Sequence, residues 1–91
     1  MMKTLNMIAA GRVQGVGFRF HTQKLAASHE LTGWVKNRDD GTVEMMVQGE
    51  DKQLEDFLKD LKEGNRYAKV DDISVKGELQ SETFSEFKIV H

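Results

Sequence analysis

The stretch Leu31-Thr32-Gly33-Trp34-Val35-Lys36-Asn37-Arg38-Asp39-Asp40-Gly41-Thr42-Val43-Glu44-Met45-Met46-Val47-Gln48 decides how this chain folds. Its two arms, residues 31–37 and 42–48, are rich in valine, threonine and tryptophan, which suit a pleated and packed surface. Between them the Asp40-Gly41 pair supplies the positive backbone angle of a tight connection. In the second arm Val43, Met45 and Val47 share one face, and Glu44 and Gln48 take the other. The stretch reads as an antiparallel hairpin with one buried and one wet side.

The period changes on both flanks. Upstream, Phe18, Thr22, Leu25, Ala26 and His29 recur at three- and four-residue steps, which predicts a helix starting at Phe18. Downstream, Leu54, Phe57, Leu58 and Leu61 fall at i, i+3, i+4 and i+7, with Asp51 placed as the N-cap and Gly64 placed to end the helix in the left-handed conformation. Beyond these helices lie further strands. Residues 3–10 carry Leu5, Met7 and Ala9 on one parity and Ile8 and Ala10 on the other, as in a strand buried on both faces. Residues 70–76 and 84–90 read as two more; in the latter, Phe87 and Ile89 alternate with Glu86 and Lys88. Two helices separated by a hairpin predict an α+β fold, a ferredoxin-like βαββαβ sandwich. Its sheet is expected to be antiparallel, with two helices on one face and room for an edge strand. That fold serves many functions and decides none.

The chain has 91 residues, no cysteine and no proline. Its length predicts a single domain over residues 1–91, with one modest core and no large cavity for a bulky cofactor. Without cysteine there is no disulfide, thiolate zinc site or thiol nucleophile, so any nucleophile is water or an oxygen or nitrogen side chain. Lys and Arg number 13 against 15 Asp and Glu, a net charge of −2, which argues against nucleic acid as the main partner. The short apolar stretch near the amino terminus is broken by Asn6 and ends at Gly11, far below the ~20 residues of a membrane span. It also lacks the apolar region of a secretory leader, so the expectation is a cytoplasmic protein with no membrane partner.

The segment that carries chemistry is Gly11-Arg12-Val13-Gln14-Gly15-Val16-Gly17-Phe18-Arg19, between the first strand and the first helix. Its glycines let successive N–H groups curl toward one point at the positive end of a helix, where an anion binds. Arg19, in the first helical turn, offers a guanidinium fork to the same anion. A cation there opposes the helix dipole, so an anion is expected to offset it. Taken alone, these residues also suit a plain turn, with Arg19 paired to a surface carboxylate. No Lys-Ser or Lys-Thr follows a phosphate-loop spacing, and Gly15-Val16-Gly17 lacks a third glycine three residues on, so nucleoside triphosphate and dinucleotide motifs are poor fits.

Together with Gly33-Trp34-Val35-Lys36-Asn37-Arg38-Asp39-Asp40-Gly41-Thr42-Val43, this segment resembles the two signatures of the acylphosphatases, small enzymes that hydrolyse the carboxyl-phosphate bond of acyl phosphates. Those signatures read Gly-Arg-Val-Gln-Gly-Val-x-Phe-Arg and Gly-x-Val-x-Asn-x-x-x-Gly-x-Val, and both are intact. The likeness extends over essentially the whole chain, including Val47-Gln48-Gly49 and Phe87-Lys88-Ile89. It implies that the backbone amides of Gln14, Gly15, Val16, Gly17, Phe18 and Arg19 cradle the phosphoryl oxygens. The same likeness makes the Arg19 side chain a second phosphoryl ligand and has Asn37 orient the attacking water. The implied partners are a small acyl phosphate and inorganic phosphate, with no cofactor and no metal; a monomer is expected.

These implied roles are chemically coherent. The leaving carboxylate, with a pKa of about 4 to 5, departs without a strong general acid. Phosphoryl transfer then needs mainly positioning and charge stabilisation, which amides and one arginine supply. Asn37 cannot act as a base near neutral pH, so a phosphate oxygen takes the proton of a water attacking in line at phosphorus. The runner-up function is a non-catalytic anion-binding module of the same fold, against which stands the presence of both Arg19 and Asn37.

Two departures from the family pattern stand out. His21 occupies a position where an aromatic residue is usual, and reads as a packed ring in its place. Gly64-Asn65-Arg66-Tyr67-Ala68 falls where relatives commonly carry prolines, which changes loop stiffness. His29 and His91 have no metal-ligand spacing with His21. Met7, Met45 and Met46 read as core. Trp34 and Phe20 suit either the mouth of the site or burial, and the pairs Asp39-Asp40 and Asp71-Asp72 read as solubility groups.

Overall fold

In the computed structural model, which describes residues 2–79 and 83–91, the chain runs β1 (Met2–Arg12), α1 (Phe18–Ser28), β2 (Thr32–Asn37), β3 (Val43–Glu50), α2 (Asp51–Glu63), β4 (Lys69–Leu79) and β5 (Phe87–Val90). The strands form one sheet in the order β4-β1-β3-β2-β5. The pairs β1/β3, β1/β4 and β2/β3 are antiparallel. The hairpin register sets Asn37 opposite Val43 and Val35 opposite Met45, with Gly41 at φ 91° in the connection.

The βαββαβ order holds, and one pairing departs from an antiparallel sheet. β5 lies parallel to β2, with Gly33 opposite Phe87 and Val35 opposite Ile89. β4 and β5 occupy opposite edges and run in opposite directions. The open edge that β5 reaches belongs to β2, which already runs its way, so the sheet is mixed.

The core lies between one sheet face and the two helices. Met7, Ala9, Val35, Val43, Met45 and Val47 come from alternate positions of the strands, and Phe18, Ala26, Leu54, Phe57 and Leu61 from the helices; all are buried. Period two meets period 3.6 at one apolar layer. Leu58 is only half-buried, and in β1 the odd positions Met7 and Ala9 are fully buried while Ile8 and Ala10 are half-buried. The even face of β1 carries no helix, which explains its partial exposure.

Three local expectations are corrected. The N-cap of α2 is Glu50, not Asp51: the Glu50 side chain accepts from the Gln53 backbone N–H, and Gln53 Oε1 accepts from the Glu50 N–H at 2.8 Å. This reciprocal box satisfies two orphan amides at once, which a lone Asp51 cap could not do. Gly64 follows α2 with φ 70° and an extended ψ of −156°, so the chain leaves the helix straight instead of coiling left-handed. Gln48 is buried rather than wet, because its side chain donates to Thr4 Oγ1 at 2.8 Å and accepts from the Phe84 N–H at 3.0 Å.

Candidate active site

Two segments build the site. The connection from β1 to α1 keeps Gly15 and Gly17 at φ 73° and 75°, on either side of Val16, which has negative φ. This alternation is the backbone pattern of an anion nest, and side chains other than glycine rarely adopt the positive angles. Gly17 is also the N-cap of α1, which therefore begins with no side-chain cap and no acidic residue in its first turn. The second segment is the end of β2. Asn37 has the parity of Val35, so it projects on the helix-covered side where α1 begins.

The first segment is tied to the hairpin by Gln14. Its Nε2 donates to the carbonyls of Arg38 (2.7 Å) and Thr42 (2.8 Å), on the turn that follows Asn37. Asp40 shapes that turn, accepting from the Thr42 N–H at 3.0 Å and hydroxyl at 2.6 Å. These bonds hold its carboxyl below the ordinary carboxylate range. Asp40 is thus a turn-forming group, and the Gln14 side chain has a positioning part in addition to its amide.

Arg19 and Asn37 line one open pocket of about 290 Å³. Gly15, Gly17 and Phe18 of the loop share it, together with Phe20 at its rim. Phe20 is 62% exposed, so packing does not account for it. Trp34 lines a different groove, beside Phe84 and Val90, with the Lys36 ammonium 5.5 Å from its ring centre. Val16 and Gln14 are half-buried in the same loop and do not line the pocket with their neighbours.

His91 is the residue that sequence reasoning missed. A guanidinium N–H of Arg19 donates to His91 Nδ1 at 3.2 Å, which requires that nitrogen to be unprotonated, and the ring lines the pocket. The signal lies in the parallel pairing of β5 with β2: Lys36 sits opposite Val90, so the next residue falls beside Asn37. His21, by contrast, turns away from the pocket. Its Nε2 is buried with no hydrogen-bond partner among the described residues, 6.3 Å separates its ring centre from that of Phe18, and burial lowers its pKa below 6.5 despite the opposing Gly64 backbone.

The fold and this site define a ferredoxin-like α+β domain whose functional end is a glycine loop facing a strand-end asparagine. The acylphosphatase family profile matches residues 5–89. An acylphosphatase of Bacillus licheniformis is 46% identical over 97% of this chain and 98% of its own length. The crystal structure of acylphosphatase from Bacillus subtilis superimposes with a TM-score of 0.91 at 46% identity, covering all of both chains. A full-length HypF structure in the phosphate- and nucleotide-bound form matches with a TM-score of 0.87 at 30% identity, over all of this chain and 12% of that one. This chain belongs to the acylphosphatase family, hydrolases acting on acyl phosphates. No described helix is long and apolar enough to cross a membrane.

Proposed function

We propose that residues 1–91 form a single catalytic domain that hydrolyses small acyl phosphates by in-line attack of water at phosphorus, without metal. The observation that carries this reading is the shared pocket of Arg19, Asn37 and the loop glycines. The phosphoryl oxygens lie against the amides of residues 14–19, which α1 leaves without a side-chain cap. The Arg19 fork takes two of those oxygens through the N–H groups not directed at His91. Asn37 Oδ1 accepts a hydrogen bond from the water and aims its lone pair at phosphorus. As the new P–O bond forms, the P–O bond to the acyl group breaks. The carboxylate leaves with the electron pair, and the water proton passes to a phosphate oxygen.

This route demands charge stabilisation and alignment, which amides and an arginine provide, and no group with a strongly shifted pKa. A monomer working in the cytoplasm is part of the same proposal. Hydrolysis in ¹⁸O-labelled water tests the step: the label is expected in inorganic phosphate, and label in the carboxylate overturns attack at phosphorus. Chelator is expected to leave the rate unchanged. A non-catalytic anion-binding module is the second reading, drawn from the likeness to one part of the much longer HypF chain. Phosphate release from an acyl phosphate separates the two.

A further inference from the structure

On the other side of the loop lies a second pocket, of about 490 Å³, lined by Arg12, Gly15, Val16, Arg66 and Tyr67. Gly15 lines both pockets, and a Cβ built on it would meet nothing within 4 Å. It therefore forms an open saddle between them. We propose that Arg12, Arg66 and Tyr67 form a second anion subsite that takes a negatively charged tail on the acyl group of the substrate.

The charges around this pocket are unbalanced. Arg12 and Arg66 are both exposed, and among the described residues neither has a carboxylate within 4 Å. Most cations of the chain share that state; these two are set apart by lining one pocket. Lys69, also exposed, stands directly opposite Arg12 in the β1/β4 ladder. Like charges in that position repel, and a bound anion would offset the repulsion. Asp71 packs beside Gly11, and among the described residues it makes no ion pair with Arg12.

The loop that carries Arg66 is held in shape. Asn65 Oδ1 accepts from the N–H groups of Tyr67 (2.8 Å) and Ala68 (2.6 Å), an Asx turn that fixes the backbone on either side of Arg66. The Arg66 guanidinium lies over the Tyr67 ring, 5.6 Å from its centre. A guanidinium over a ring face can still direct its edge N–H groups at an anion. Tyr67 remains 64% exposed, so the ring serves as a platform and not as core.

The subsite rests on the reading that the phosphoryl group occupies the first pocket, and the test separates the two. Hydrolysis of adipoyl phosphate, with a carboxylate tail, is compared with hexanoyl phosphate of equal length and with 6-phosphonohexanoyl phosphate. In Arg66→Gln, kcat/KM is expected to fall about tenfold for the two charged-tail substrates, near the low end of what a charge-assisted hydrogen bond supplies. For hexanoyl phosphate it stays within about twofold, and Arg66→Lys restores part of the loss. A larger loss with the phosphonate tail identifies a phosphate as the preferred anion; equal losses identify any anionic tail. Equal effects on charged and neutral substrates overturn the subsite. Calorimetry with the analogues in which a methylene replaces the scissile oxygen reads the same discrimination as Kd. If nothing is hydrolysed, the reaction reading fails, while the Kd ratio still supports or overturns the subsite.

Discussion

The two helices lie on the same face of the sheet and begin in opposite ways. α2 starts with the Glu50/Gln53 capping box, an aspartate in its first turn and a lysine in its last. All three features stabilise a helix on its own terms. α1 starts on Gly17 with no side-chain cap and no acid, and places a cation, Arg19, in its first turn. The difference teaches that the amino terminus of α1 is not stabilised on its own terms. Its uncapped amides and opposed charge leave a positive concavity, which the proposed function fills with the phosphoryl group. The ends differ too: α2 stops at Gly64, whereas α1 is closed by Glu30 at φ 59°, with Leu31 N–H bonded to the Ala26 carbonyl and Glu30 N–H to that of Ala27.

Substitutions at the two helix starts, and at the end of β2 that shares the pocket with α1, break this comparison most sharply. Arg19→Gln and Asn37→Ala are each expected to lower kcat at least about a hundredfold, the loss typical of one transition-state donor. Thermal midpoints should hardly move, because Arg19 is half-exposed and Asn37 exposed. Wild-type kinetics in either variant would dissolve the functional reading of α1. Gln53→Ala, at α2, should do the reverse: about 1 kcal/mol less stable in urea titration, with kcat/KM unchanged.

Smaller effects sharpen the picture at the other ends. Glu30→Gly relieves a left-handed angle that costs a side-chain residue about 1–2 kcal/mol, offset in part by the greater freedom of glycine in the unfolded chain. A net gain of roughly 0.5–1 kcal/mol follows, measurable by denaturant titration. The smallest change concerns His21, in α1 near the Gly64 backbone. Its native pKa lies below 6.5 because burial disfavours the charged ring, with Lys24 adding to the effect. As pH falls, the unfolded chain therefore binds this proton first, so stability is complete above about pH 6.5 and declines as pH drops toward the native value. His21→Phe should flatten that part of the profile, read from thermal midpoints between pH 5 and 8. A slope unchanged by His21→Phe would show that another group carries it.

Local chemistry made much of this molecule legible before any coordinates. The hairpin followed from alternation at Val43, Met45 and Val47 around Asp40-Gly41, and α2 from the spacing of Leu54, Phe57 and Leu61. Both depend on residues within a few turns of one another. The Gly11-to-Arg19 string could be marked as an anion loop because positive φ and a helix start are local properties. Contacts between distant segments were not legible. Gln14 bonds to Arg38 and Thr42, 24 and 28 residues away, and Arg19 to His91, 72 residues away. No period or spacing encodes such pairs.

By itself, then, the sequence determined the elements, the buried face of most of them and an anion loop ending at Arg19, because side-chain period and turn chemistry act over a few residues; Asn37 entered through the resemblance of two long strings to a known family. Tertiary structure alone decided that β5 runs parallel to β2, that His91 joins the pocket and that Arg66 comes to stand beside Arg12. Those outcomes depend on which sheet edge is open and which strands become neighbours, and packing of the whole layer settles both.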